Sequence, residues 1–100
     1  MSMDKHFVIE RLRQHEPELK AAGVVHLHVF GSVARDEATS ASDVDLMADF
    51  DKPKQLTLVK VASLQHRLST ILGREVDLSS AEWMRERVRE NALREAVLVF

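Results

Sequence analysis

Between Phe30 and Leu46 the chain reads FGSVARDEATSASDVDL, and the residues able to do chemistry there are Gly31, Ser32, Asp43 and Asp45. Side chains at i and i+2 of a strand leave the same face, so a strand over this stretch would set the two carboxylates several ångströms apart. Left bare, they repel: at about 5 Å, with an effective dielectric between about 20 and 80, a like-charged pair costs about 1 to 3 kcal/mol. Further on, Asp77 lies between Val76 and Leu78, and with those two turned to the core it emerges on the side of the first pair. Three such carboxylates are hard oxygen ligands suited to Mg²⁺ or Mn²⁺, which neutralise the charge and keep coordination places for water and substrate phosphates. Two ions about 3.5 to 4 Å apart could clamp the attacking and leaving oxygens of an in-line phosphoryl displacement. The aspartates alone also fit a plainer reading, with Asp43 capping the turn after TSAS and Asp45 and Asp77 as solvated strand residues.

The Gly-Ser pair upstream favours the first reading. Gly31 follows an apolar alternating run, and SVARDEA can begin a short helix with Ser32 at its N-cap. A helix start offers unpaired backbone N–H groups and a positive dipole end, and glycine lets a phosphate approach the backbone closely. A lone Gly-Ser is also a plain turn. The GK[ST] of a P-loop and the repeated glycines of a dinucleotide fold are both missing.

These residues need elements to hold them. Val8, Ile9 and Leu12 fall at helical spacing, predicting a helix over 4–15, and EPELKAAG reads as a second short helix closed by Gly23. VVHLHVF alternates Val25, Leu27 and Val29 with His26, His28 and Phe30, the two-residue repeat of a strand. In DVDLMADF, Val44, Leu46, Ala48 and Phe50 share a core face, and Asp43, Asp45, Met47 and Asp49 share an acidic one. Leu58, Val61, Leu64, Leu68 and Ile71 define a helix ending at Gly73, after which REVDLS supplies a third strand. Ser79 with Glu82 matches a capping box before AEWMRERVRENALREA, a last helix with Met84, Val88, Ala92 and Ala96 along one stripe, and the final VLVF suits an edge strand. The order helix, helix, strand, loop, strand, helix, strand, helix predicts an α+β fold, a small mixed β-sheet flanked by helices.

Composition sets outer bounds. One hundred residues, 45% hydrophobic, allow one core, so residues 1–100 are read as a single domain. Fourteen basic and sixteen acidic residues leave a net charge of -2, so no broad positive field attracts nucleic acid or anionic lipid. With no cysteine there is neither a thiolate metal site nor a thiol nucleophile. The N-terminus has no apolar signal core and no window approaches a membrane span, so a soluble, cytoplasmic protein is expected.

Together, Gly31, Ser32, Ala34, Arg35, Glu37, Ser42, Asp43, Asp45 and Leu46 resemble the signature of the DNA polymerase β-like nucleotidyltransferase superfamily. The match looks closest to the minimal nucleotidyltransferase (MNT) group, and the leading helices, REVDL and the closing REAVLVF extend it over nearly the whole chain. The resemblance implies the nucleotidyltransferase fold, two Mg²⁺ ions on Asp43 and Asp45, with Asp77 on the ion that activates the attacking hydroxyl, and Gly31 and Ser32 holding the β and γ phosphates of ATP. Asp36 stands where many relatives carry glycine. MNT proteins resemble antitoxins encoded beside a HEPN-domain ribonuclease toxin, to which they transfer AMP at a tyrosine. The chain lacks the extra domains with which larger relatives hold a primer, a tRNA or an antibiotic, so its acceptor must dock, and near-neutral charge favours a protein over nucleic acid. A non-catalytic module that neutralises the same partner by occlusion is the alternative, and transfer to a small molecule or an RNA end a third.

Other residues have weaker claims. Arg35 could reach the triphosphate or pair with Glu37 or Asp36. His26 and His28 share a face at metal-binding spacing but lack a third soft ligand. Asp49 and Asp51 read as solvated or capping the next helix. Glu82, Glu86 and Glu90 form one charged stripe of the last helix and Arg85 and Arg89 another, either a solvated face or a docking surface, with Trp83 in the core or on that surface.

Overall fold

The computed structural model describes residues 4–39 and 41–100. Its centre is a four-stranded mixed sheet in the order β3-β2-β1-β4, built from β1 (Val24–Phe30), β2 (Val44–Phe50), β3 (Val76–Ser80) and β4 (Val97–Leu98). β1 runs antiparallel to β2 and β4, and β2 runs parallel to β3. A parallel pair needs a crossover, and α4 (Leu58–Leu72) supplies it. The helices α1 (Lys5–Gln14) and α2 (Glu16–Ala21) precede the sheet, α3 (Gly31–Ala34) follows β1, and α5 (Glu86–Glu95) precedes β4. Asp4 caps α1 by accepting from the His6 N–H. Thr57 caps α4 by accepting from the Lys60 N–H, a role that Asp49 and Asp51 do not take. Gly73, at φ 67°, ends α4 in the left-handed region that suits glycine.

One face of the sheet carries the main core. Val44, Leu46, Ala48 and Phe50 of β2 are buried, as expected, with Val8, Ile9 and Leu12 of α1 and Val61, Leu64, Leu68 and Leu72 of α4. Two expected core residues of α4 lie elsewhere: Leu58 is 76% exposed in the first turn, and Ile71 is only partly buried beside Leu72. β1 also departs from strict alternation. Its register slips between Val24 and His26, two residues of β1 facing one step of β2, so Val24 is buried and Val25 is exposed. An extra residue in one strand does this to every side chain before it.

The opposite face is not purely acidic. Met47, between Asp45 and Asp49, is buried with Ala81 and Ala92, and Phe30 and Met84 pack on that cluster. α5 therefore covers part of this face. It begins later than the sequence suggests, because Ser79 and Ser80 pair with Met47 and Ala48 and are drawn into β3. A single 3-10 turn, Ala81–Trp83, and extended backbone at Met84 and Arg85 follow before α5 starts at Glu86. No capping box forms, and of the expected stripe only Ala92 is buried within the helix. Trp83 is half-exposed rather than core.

β3 is an edge strand, and unpaired edge amides invite other chains. Two side chains of α4 occupy them: Gln65 Oε1 accepts from the Leu78 N–H at 2.9 Å and Ser69 Oγ from the Val76 N–H at 3.2 Å. Gln65→Leu should leave the Leu78 donor unsatisfied and cost about 1 to 3 kcal/mol, read as a lower urea midpoint. The final residues extend the other edge, with the Val99 N–H donating to the Leu27 carbonyl at 2.8 Å. Among the described residues no helix is long and apolar enough to cross a membrane.

Candidate active site

Asp45 is the centre of the site because three strands meet at it. In the sheet register it stands opposite Phe30 of β1 and opposite Asp77 of β3. Directly opposed residues share a face, so Asp45 and Asp77 emerge together from the sheet, as expected. Asp43 precedes β2 by one residue and is exposed. Both of the other aspartates act electrically on Asp45. Burial pushes the Asp45 carboxyl up from its ordinary value, the charges of Asp77 and Asp43 push it further, and Arg35 partly opposes them. A divalent cation held by Asp45 and its neighbours would relieve that strain, and hard carboxylate oxygens are the donors such a cation selects. Among the described residues no three His, Asp or Glu side chains are gathered tightly enough to enclose an ion.

Gly31 turns the chain out of β1 with φ 72°. A Cβ built there would stand 3.1 Å from Asp45 Cγ and 3.2 Å from Asp45 Cβ, and would overlap Oδ2 outright. The glycine is thus needed twice, for its backbone and for the space in which the Asp45 carboxylate lies. Ser32 falls inside α3 instead of at its N-cap; Phe30 holds the cap position and no side chain bonds there. The Ser32 hydroxyl makes no hydrogen bond among the described residues, while its carbonyl accepts from the Glu37 N–H at 2.8 Å.

Arg35 pairs with Glu37, as one reading of the sequence had it, and also with Glu95. Its Nε donates to Glu37 Oε2 at 3.0 Å and its Nη1 to both oxygens of Glu95 at 3.1 Å. Asp36 takes Lys5 at 3.2 Å instead. It is also the one non-glycine residue with positive φ among the described residues, at 58°. The position conventionally given to glycine thus keeps its left-handed backbone, which aspartate tolerates better than most side chains.

Two further residues belong to the site that spacing did not single out. Arg74, just past α4, donates through Nη2 to the carbonyls of Thr39 (3.1 Å) and Ser42 (2.5 Å), clamping the loop that delivers Asp43. Glu95, at the end of α5, accepts from the Gly31 N–H at 3.3 Å as well as from Arg35. Both lie more than thirty residues from the groups they hold, so no local pattern signals them. The histidines remain apart from this site. His26 stands opposite Asp49, and the Nδ1 of His28 is buried without a partner. Burial lowers the His28 pKa, with Asp49 opposing and His26 adding to the effect. A cavity of about 610 Å³ lies between α4 and the start of β3, lined by Gln65, His66, Ser69 and Arg74 among others, and none of the three aspartates lines it.

A glycine turn after one strand, two aspartates at the head of the next and a third on its parallel neighbour thus lie at one end of the sheet. The chain belongs to the nucleotidyltransferase domain family, whose model matches residues 8–99. It is 37% identical over 89 residues to the protein adenylyltransferase MntA of Thermococcus cleftensis, covering 88% of each chain. A solved structure with the working description of minimal nucleotidyltransferase is 41% identical, with a TM-score of 0.77 over 95% of both chains. The fold is also that of the MNT antitoxin solved with a tri-AMPylated HEPN toxin of Shewanella oneidensis. There the TM-score is 0.70 at 14% identity, covering 96% of this chain and 71% of that one.

Proposed function

We propose that this chain is a protein adenylyltransferase of the antitoxin kind, transferring AMP from ATP to a hydroxyl, a tyrosine, of a HEPN-type toxin. The observation that carries the reading is the contact between the Gly31 turn and the Asp45 carboxylate, with Asp77 opposite it on the next strand. The kinship to a protein adenylyltransferase supports the reaction type, and the HEPN complex of a protein with the same fold supports the partner.

Asp43, Asp45 and Asp77 are the residues that would hold two Mg²⁺ ions, which when bound supply charge neutralisation and alignment for in-line displacement. The chain's own groups do the rest. The Gly31 turn admits the β and γ phosphates close to the backbone, and the Ser32 hydroxyl is free to donate to them. Arg35 spends Nε and Nη1 on its two glutamates, so Nη2 is left to reach the triphosphate. The acceptor oxygen bonds to the α-phosphorus as the bond from that phosphorus to the α,β-bridging oxygen breaks. Pyrophosphate departs, and the hydroxyl proton is lost to a carboxylate or to water.

The decisive experiment incubates the protein with a HEPN-type toxin, labelled ATP and Mg²⁺. Covalent label on the partner is expected, and its position should map to a tyrosine. A partner silenced without label would replace catalysis by occlusion. A simpler measurement bears on the pocket: ATP with Mg²⁺ at about a hundred times its Kd should stabilise the fold by about 2.7 kcal/mol, a rise of several degrees in Tm. Unchanged melting would remove the nucleotide from the reading.

A further inference from the structure

Among the described residues, Glu95 is the one acidic side chain outside the aspartate trio that bonds to the Gly31 turn. Its carboxylate touches two groups of the site at once. Both oxygens accept from Arg35 Nη1 at 3.1 Å, and Oε1 also accepts from the Gly31 N–H at 3.3 Å. Glu95 and Arg35 both register in the electrostatics of Asp45, with opposite signs. The side chain is held in place from both directions, since α5 anchors through Ala92 on Met47 and the chain passes directly into β4, paired with β1.

Resting on the reading above, in which Arg35 faces the triphosphate, we propose that Glu95 is a positioning residue for the nucleotide. It fixes the guanidinium and the glycine turn relative to each other before substrate arrives. The physical reason lies in the guanidinium's shape. Arginine is a rigid planar fork on a long, flexible stem, and ordering it on binding costs side-chain entropy. Glu37 bonds Nε and Glu95 bonds Nη1, so two carboxylates define the plane of the fork, of which only Glu95 is anchored on another element, and Nη2 is presented without a search. Glu37 sits on an exposed turn only two residues from Arg35 and can follow it. Glu95 stands on a separate element, 60 residues away, and among the described residues it is the side chain that ties Arg35 to α5. A neutral partner would keep the shape and lose the charge-assisted strength.

The test is a cycle of Glu95→Gln, Glu95→Ala, Arg35→Ala and the Glu95→Ala/Arg35→Ala double variant, read by Kd for ATP with Mg²⁺, by KM and kcat for labelling of the partner, and by Tm. Glu95→Ala should weaken nucleotide binding about tenfold and raise KM by a similar factor, with kcat changed less. Glu95→Gln should fall between it and the native protein. In the Arg35→Ala background, removing Glu95 should change Kd less than twofold, because its effect passes through the arginine. Tighter binding in Glu95→Ala would overturn the proposal, making Glu95 an occupant that the phosphates must displace. Equal Kd with a lowered Tm would also overturn it, leaving a purely structural contact. If the native protein binds no nucleotide the proposed function fails, and the proposal about Glu95 with it; native binding that Glu95→Ala leaves unchanged defeats the inference alone.

Discussion

Asp45→Asn is expected to abolish nucleotidyl transfer and, in the same protein without metal, to raise its melting temperature at neutral pH. The two effects share a cause. Asp45 is half-buried, opposite one carboxylate and near another, and that desolvation and repulsion raise its pKa. In the proposed function Asp45 would be a shared ligand of the ions, and its loss would remove several kcal/mol of charge stabilisation in the transition state. Since about 1.4 kcal/mol corresponds to a factor of ten, a fall in labelling rate of at least about 10³-fold follows. The stability effect has a definite sign with pH. The folded carboxyl holds its proton to higher pH than the unfolded one, whose ordinary value is 3.8. Between those two values the folded state binds more protons, so stability falls as pH rises through the window and stays lower above it. Asparagine does not titrate. Melting curves in chelator should therefore show the variant ahead of the native protein at pH 7, with the gap closing as pH drops below about 4. A variant less stable than the native chain at pH 7 would show that Asp45 is satisfied by contacts rather than strained. Asp43→Asn should lose transfer similarly.

Gly31→Ala is expected to damage both fold and activity. The residue's φ of 72° lies where an L side chain crowds its own carbonyl, costing about 1 to 2 kcal/mol. The added Cβ also meets a side chain that has nowhere easy to go. It would lie 3.2 Å from Asp45 Cβ, an atom fixed to the backbone of β2, and would overlap the carboxylate oxygen. Rotation of Asp45 can clear the oxygen only by taking a principal ligand out of the site. We expect destabilisation of about 2 to 5 kcal/mol, the sum of backbone strain and overpacking, and labelling reduced by about 10²-fold or more. The cause can be separated by a double variant. In an Asp45→Ala background the overlap with the carboxylate disappears and only the 3.2 Å approach to Cβ remains, so Gly31→Ala should there cost distinctly less. Equal costs in both backgrounds would mean that the contact between turn and carboxylate contributes nothing.

The candidate site was legible in the sequence wherever a role follows from neighbours along the chain. Two carboxylates at i and i+2, a third flanked by valine and leucine, and a glycine at the end of an alternating run depend only on the pleat of a strand and on glycine's access to positive φ. The shared face of Asp45 and Asp77 and the turn at Gly31 hold in the structure, while Asp43 lies one residue before β2 begins. The four strands and α4 were equally legible, since hydrophobic periodicity reports which side of an element is buried.

Local signals misled where an element competed with a longer-range partner. Ser79 and Glu82 spell a helix start, yet the parallel pairing of β3 with β2 takes Ser79 and Ser80 and delays α5 to Glu86. A bulge in β1 exchanged Val25 for Val24 in the core, through a register that only β2 could set. Leu58 sits at the right spacing but in a first turn left largely exposed, and Trp83 in a turn that nothing covers fully.

By itself, then, the order of residues determined the chemistry: hard oxygen donors, a glycine turn, an α+β scaffold and the family to which they belong. Tertiary structure alone decided how those groups are held. Arg74 reaching back to the Thr39 and Ser42 carbonyls, and Glu95 joining Arg35 to the Gly31 amide, are contacts between elements far apart in the chain. Periodicity records which face of an element is buried, and it carries no record of which distant charge will be packed beside it.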